Sequence, residues 1–279
     1  MSPAALRPFG STLGRLFPEF TAELVAGYAT RPRPLPPRPQ PEDAEPVTLR
    51  FGLTGLRWGY RGPRVLALHG WQGSAAQFAP IARALVARGL QVLALDAPAH
   101  GRTPGEFASP TVFSDALLES RPELGSVEAV IGHSMGGGAV LYALAHGLRT
   151  ERAVVISAPA HYAEVLQRTS RRLALPQRAE AAFVARMERL TGVPAAALDI
   201  AALASRFAGE LLVVHDRADR IIPHADGARI ADAARVPLLS SEGLGHARLL
   251  ADPHVADSVA AFAQQGSASL KAAYRARLN

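Results

Sequence analysis

The chain has 279 residues, with 30 Lys and Arg against 24 Asp and Glu, a formal net charge of +6 with His neutral. Hydrophobic residues make up 48% and charged residues 19%, which excludes a disordered or fibrous chain and leaves a globular one with material for a sizeable core. There is no cysteine, so disulfide frameworks, thiolate metal sites and a catalytic thiol are excluded.

No window approaches about 18 unbroken apolar residues, so a membrane span is not expected. The opening segment, MSPAALRPFGSTLGRLFPEF, scatters Arg, Gly and Pro where a signal peptide needs an apolar run. The expectation is a soluble, unexported, cytoplasmic protein. Lys271 is the only lysine, and the remaining positive charge is Arg spread along the chain. No basic run is interleaved with aromatics, so no nucleic-acid partner is expected.

In chain order, residues 1–45 read as an arm. Leu16, Phe20, Leu24 and Tyr28 recur at four-residue spacing and predict one amphipathic helix over about Leu13 to Tyr28. The run RPRPLPPRPQP from Arg31 to Pro41 is too proline-dense for helix or inner strand and reads as an extended connector. From Val47 the pattern changes. VTLRF and LTGLRWGY flank Gly52 and suggest a short hairpin. Apolar runs then alternate with helical stretches. Arg64–Leu68, Gln91–Leu95, Glu128–Ile131, Ala153–Ile156, Leu211–Val214 and Val236–Leu239 are strand-like. Buried runs alternating with helices predict an α/β fold with a mostly parallel central sheet covered on both faces.

One interval breaks the rhythm. Between Ser157 and Gly209 no strand candidate occurs, and helices fit Tyr162–Leu173, Gln177–Thr191 and Ala195–Phe207. That length reads as a helical cap, 160–207, inserted between core segments 46–159 and 208–265 and placed where such sheets bind ligands. A helical stretch from Asp257 to Gln264 closes the core, and 266–279 is a tail.

The chemistry centres on Gly132-His133-Ser134-Met135-Gly136. It follows a strand and opens a helix. A turn that sharp strains the central residue and needs small neighbours; Gly132, Gly136, Gly137 and Gly138 supply them. The bland alternative is a glycine-rich helix start with a serine cap. A serine hydroxyl needs a base. His246, in Gly243-Leu244-Gly245-His246 after the last strand, is best placed among nine histidines. The side chain of His133 is expected to point away from the serine. The base needs an acid. Asp219 lies in the turn beyond the LLVVH strand, with Asp216 as the fallback, and the order Ser134, Asp219, His246 matches a known triad order. An oxyanion needs fixed donors. The amide of Met135 is one, and that of Trp71, in His69-Gly70-Trp71-Gln72-Gly73, is the other. Trp71, His69 and His133 are the candidate substrate-contacting residues. Asp96 and His100, in DAPAHGR, read as support beneath the serine.

Together these motifs resemble the α/β-hydrolase superfamily, and within it the small cap-bearing serine esterase-like members. Five spaced motifs agree in order, at His69, Asp96, Ser134, Asp219 and Gly243–His246, over about Val47 to Gln265. The His-Gly-Trp and Gly-His-Ser-Met-Gly pair is also similar to bacterial aryl-esterases and perhydrolases. The N-terminal 45 residues depart from the pattern. The resemblance implies a serine hydrolase of a small or medium acyl ester or thioester, with no cofactor and no metal. Carbon–carbon hydrolysis, acyl transfer, perhydrolysis and a non-catalytic binding role stay open. The cap holds seven Arg against four acidic residues, which suits an anionic acyl group or merely solvated helix faces. Oligomeric state is not readable.

Overall fold

The computed structural model describes residues 3–33 and 39–269; the centre of the proline-rich run and the last ten residues lie outside them. The chain opens with helices α1 (Pro3–Leu16) and α2 (Pro18–Thr30). These replace the single predicted helix. Proline has no amide to donate, so one helix ends at Leu16 and the next starts on Pro18, a favoured first-turn position.

Strands β1 (Glu45–Thr48) and β2 (Thr54–Trp58) form the hairpin. Then follow β3 (Arg64–Leu68), α3 (Ala79–Ala87), β4 (Gln91–Leu95), α4 (Pro110–Leu124), β5 (Ala129–His133), α5 (Met135–Ala145) and β6 (Arg152–Ile156). Helices α6 (Tyr162–Leu173), α7 (Gln177–Thr191) and α8 (Ile200–Ser205) carry the chain to β7 (Glu210–Asp216). It closes with α9 (His224–Ala234), β8 (Leu238–Ser241), the single turn α10 (Gly245–Arg248) and α11 (Pro253–Gln265). The predicted helix at Ala195–Phe207 is split: a 3-10 turn at Ala195–Ala197 precedes α8, whose first turn is capped by Asp199 through the Ala202 amide at 2.9 Å.

The eight strands form one sheet in the order β1-β2-β4-β3-β5-β6-β7-β8. The first two pairings are antiparallel and the rest parallel. Strand alternation divides the core into two layers. Val65, Ala67, Ile131 and Val154 face α3 and α11, where Ile81, Leu85, Val259 and Phe262 are buried. Leu66, Leu68, Val130 and Val155 face α4, α5 and α9, against Phe113, Leu117, Val140 and Ile230.

A third apolar cluster lies apart from the sheet. Ala22, Val25 and Ala26 of α2 pack on Tyr162, Leu166, Phe183 and Met187 of α6 and α7. The arm and the helices between β6 and β7 therefore share one core. The large side chains whose spacing predicted a helix face the other way: Phe20 and Leu24 are more than half exposed. Spacing identified the helix but assigned its inner face wrongly, because close helix–helix approach selected the small residues.

Candidate active site

Ser134 stands alone between β5 and α5, with φ 54° and ψ −123°. This left-handed backbone is costly for a residue with a side chain and persists only where the surroundings impose it. Its amide donates to Ile156 O at 2.8 Å, and its carbonyl accepts from the Gly137 amide at 2.9 Å. The reversal leaves no room for a side chain at Gly132, where a Cβ would lie 2.5 Å from Gly136 O and Gly137 Cα.

Two loops at the same sheet edge bring up the partners. Asp219 follows β7 and His246 sits on α10, a helical turn where a loop was expected. His246 Nε2 lies 3.0 Å from Ser134 Oγ, and its Nδ1 lies 2.8 Å from Asp219 Oδ2. With the Nδ1 proton directed at the carboxylate, Nε2 is left to accept the serine proton. Asp219 is buried. Its Oδ1 accepts from the amides of Ile221 at 2.8 Å and Ile222 at 3.0 Å, and His215 Nε2 stands 3.4 Å from Oδ2. Burial alone raises a carboxylate pKa; hydrogen bonds from His215, His246 and the Ile222 amide outweigh it and hold Asp219 below the ordinary range.

The two candidate acids have different surroundings. Asp216, also buried, accepts from the amides of Ala218 at 2.9 Å, Gly245 at 2.8 Å and Leu244 at 3.1 Å, and from Ser241 Oγ at 2.7 Å. It ties the acid loop to the histidine loop, while Asp219 faces the histidine. Burial raises its pKa, but the Ser241 hydroxyl and the three amides bring it below normal.

The loop after β3 crosses directly over the serine. A Cβ on Gly70 would lie 2.6 Å from Ser134 Cβ and 3.2 Å from Ser134 Oγ. The next amide, that of Trp71, has no hydrogen-bond acceptor among the described residues. Met135 opens α5, and first-turn amides have no intrahelical acceptor. Gln72 is pinned at both ends: its amide donates to His100 Nε2 at 3.0 Å, and its Oε1 accepts from Arg33 Nη2 at 2.9 Å. Asp96 accepts from the Ala75 amide at 2.7 Å and so braces the segment after this loop.

Two predicted substrate contacts need correction. His69 is fully buried, its Nδ1 2.7 Å from Gly70 O and its Nε2 accepting from the Ala97 amide at 3.0 Å, so both nitrogens serve the loops. His133 is also buried. Its Nε2 donates to the carbonyl of His246 at 2.9 Å, and burial beside His246 pushes its pKa down to about 3. It therefore holds the backbone of His246 as a neutral imidazole. Trp71 is half-buried and meets His100 edge to face, with ring centroids 5.8 Å apart. Sequence reasoning missed His133 as a brace, His215 beside the acid, and Arg33 reaching the loop from the arm. The arginines between β6 and β7 are partly engaged: Arg168 pairs with Asp226 at 3.0 Å and Arg186 with Glu23 at 2.6 Å. Among the described residues no group of His, Asp and Glu is arranged to hold a metal ion. No helix among them is long and apolar enough to cross a membrane.

A family model described as serine aminopeptidase, S33, matches residues 62–192. Est1E of Butyrivibrio proteoclasticus, solved with ferulic acid, superposes with a TM-score of 0.63 at 18% identity, covering 81% of this chain and 100% of that one. The chain has the α/β-hydrolase fold. It is also 40% identical over 118 residues to the mouse sn-1-specific diacylglycerol lipase ABHD11, covering 41% of this chain and 38% of that relative. A Mycobacterium phage D29 protein named "Putative non-heme haloperoxidase" is 28% identical over 262 residues, covering 78% of this chain and 94% of the phage protein.

Proposed function

We propose that the chain is a serine hydrolase that cleaves a carboxylic ester or thioester of a small to medium acyl group through an acyl-enzyme. The observation that carries this reading is the continuous path Ser134 Oγ to His246 Nε2 (3.0 Å) and His246 Nδ1 to Asp219 (2.8 Å), on a serine held at positive φ. His246 takes the Ser134 proton as Oγ attacks the acyl carbon. Charge then develops on the carbonyl oxygen, where the amides of Trp71 and Met135 receive it. Collapse breaks the bond to the alkoxide or thiolate, which leaves with the proton from His246. Water deprotonated by His246 attacks the acyl carbon, and the acid departs as Ser134 regains its proton. Asp219, kept ionised, stabilises the imidazolium at each step.

The relatives named as esterases and as a lipase support ester cleavage. The phage relative favours a second reading, in which hydrogen peroxide replaces water as the nucleophile and a peracid leaves. The test is hydrolysis of p-nitrophenyl acetate, butyrate and octanoate by wild type and Ser134→Ala, with fluorophosphonate labelling and a peracid assay in parallel. Wild type is expected to label and turn over, and the variant to lose about 10⁴- to 10⁶-fold in kcat without labelling. Peracid formation faster than hydrolysis selects the second reading. An unlabelled, inactive wild type overturns both and leaves a binding protein on a hydrolase fold.

A further inference from the structure

Helix α2 is inverted relative to an ordinary surface helix. Thr21, Ala22, Val25 and Ala26 are inside, while Phe17, Phe20, Leu24 and Tyr28 form an outer ridge, with Leu16 of α1 at its head. These five are 36% to 67% exposed, and the other large exposed apolar residues among the described ones, Phe51, Tyr60, Val86 and Ile221, are scattered through the chain. Single exposed apolar side chains are normal, but a contiguous row marks a contact surface.

Charge identifies what the row meets. Arg15 precedes it, and Arg31 and Arg33 follow it, all exposed. Beside it Glu23 pairs with Arg186 and also feels Arg31 and Arg189. Against these stands Glu19 in the first turn. The ridge is thus apolar with a cationic rim at both ends. A two-fold pairing of copies with antiparallel α2 helices brings Arg15 of each copy toward Arg31 and Arg33 of the other, like against like. An apolar helix face with arginines around it suits an anionic lipid surface instead.

The ridge is joined to the loop after β3. Arg33 stands over the Tyr28 ring, 5.3 Å from its centroid, and donates to Gln72, the neighbour of Trp71. Thr30 O accepts from the Ala108 amide at 2.7 Å, which fixes the end of α2 to the core. We propose that the outer face of α2 adsorbs the protein to anionic lipid surfaces and sets the mouth of the site against them, so that its substrates are esters residing in that surface. The substrate clause rests on the serine-hydrolase reading; the adsorption does not.

The test separates the two. Full-length protein is sedimented with vesicles of phosphatidylcholine alone, and of phosphatidylcholine with a quarter phosphatidylglycerol, without substrate. Binding is expected to the anionic vesicles and to weaken with salt. Phe20→Ser/Leu24→Ser should weaken it by at least about tenfold, and Arg15→Gln/Arg31→Gln by about fivefold per arginine. Both variants should keep the wild-type rate on soluble p-nitrophenyl butyrate. No binding to either vesicle, or binding that survives both variants, overturns the proposal. So does a dimer in light scattering that Phe20→Ser/Leu24→Ser dissolves, since the ridge is then a self-association face. An inactive wild type that still binds anionic vesicles removes the hydrolase reading and leaves the adsorption standing.

Discussion

The sheet edge and the helical layer above it are built on different principles. At the edge, polar atoms are fixed one by one. Asp216 accepts four hydrogen bonds and Asp219 is held from two loops, while His133 reaches across to the backbone of His246. In the helical layer, Phe183 and Met187 pack on Ala22 and Val25 with few directional contacts. The first kind of assembly has one geometry and loses function when an atom changes. The second has a volume to fill and loses stability when that volume changes. Deletions of similar size should therefore affect different observables in the two regions.

The largest effect is expected at the edge. Asp219→Asn removes the acceptor that sets the tautomer of His246 and should cost about 10⁴-fold in kcat with KM nearly unchanged, read from steady-state ester hydrolysis. In the helical layer, Phe183→Ala should lower unfolding free energy by about 3–5 kcal/mol, measured in urea. The fraction still folded should keep its fluorophosphonate labelling rate. If labelling collapses with mild destabilisation, the two regions are not separable in this way.

A smaller and mixed effect is expected at Asp216→Asn. One of its oxygens becomes a donor facing donors, so stability should fall by about 1.5–3 kcal/mol, with kcat reduced less than about a hundredfold. A loss equal to that of Asp219→Asn would exchange the roles of the two acids.

His133 sharpens the contrast through pH. Its pKa in the fold is about 3, against about 6.5 in the unfolded chain. Between those values the unfolded chain binds the additional proton. Stability therefore falls as pH drops below 6.5, by up to about 1.4 kcal/mol per pH unit from this group. Above pH 6.5 it contributes no slope. His133→Gln, which keeps a donor for the His246 carbonyl, should flatten the acid limb by that amount in urea titrations at a series of pH values. The smallest effect is expected at Arg33→Ala, an exposed contact: less than about fivefold in kcat/KM on a soluble ester.

How much of this was legible in the sequence follows the same division. Strands such as Arg64–Leu68 and Gln91–Leu95 are buried on both faces, so their apolar runs marked their limits. Ser134 was readable because the turn that presents it needs glycine locally. Asp219 and His246 were readable because each follows a strand end. The direction of α2 was not, since what decides it is the fit of Ala22 and Val25 against Phe183, far along the chain. The role of His133 was equally hidden, because it depends on a carbonyl 113 residues away.

The contact between Gly70 and Ser134 has an evolutionary consequence. With 2.6 Å between a hypothetical Cβ at Gly70 and the serine Cβ, no side chain can be added at that point of the loop after β3 without displacing Ser134. Under the proposed chemistry, room for a different acyl group is closed off at that wall. It is open in the arm and the helices between β6 and β7, where Arg33 reaches Gln72. A chain on this scaffold can change what it admits while the turn at Ser134 stays fixed.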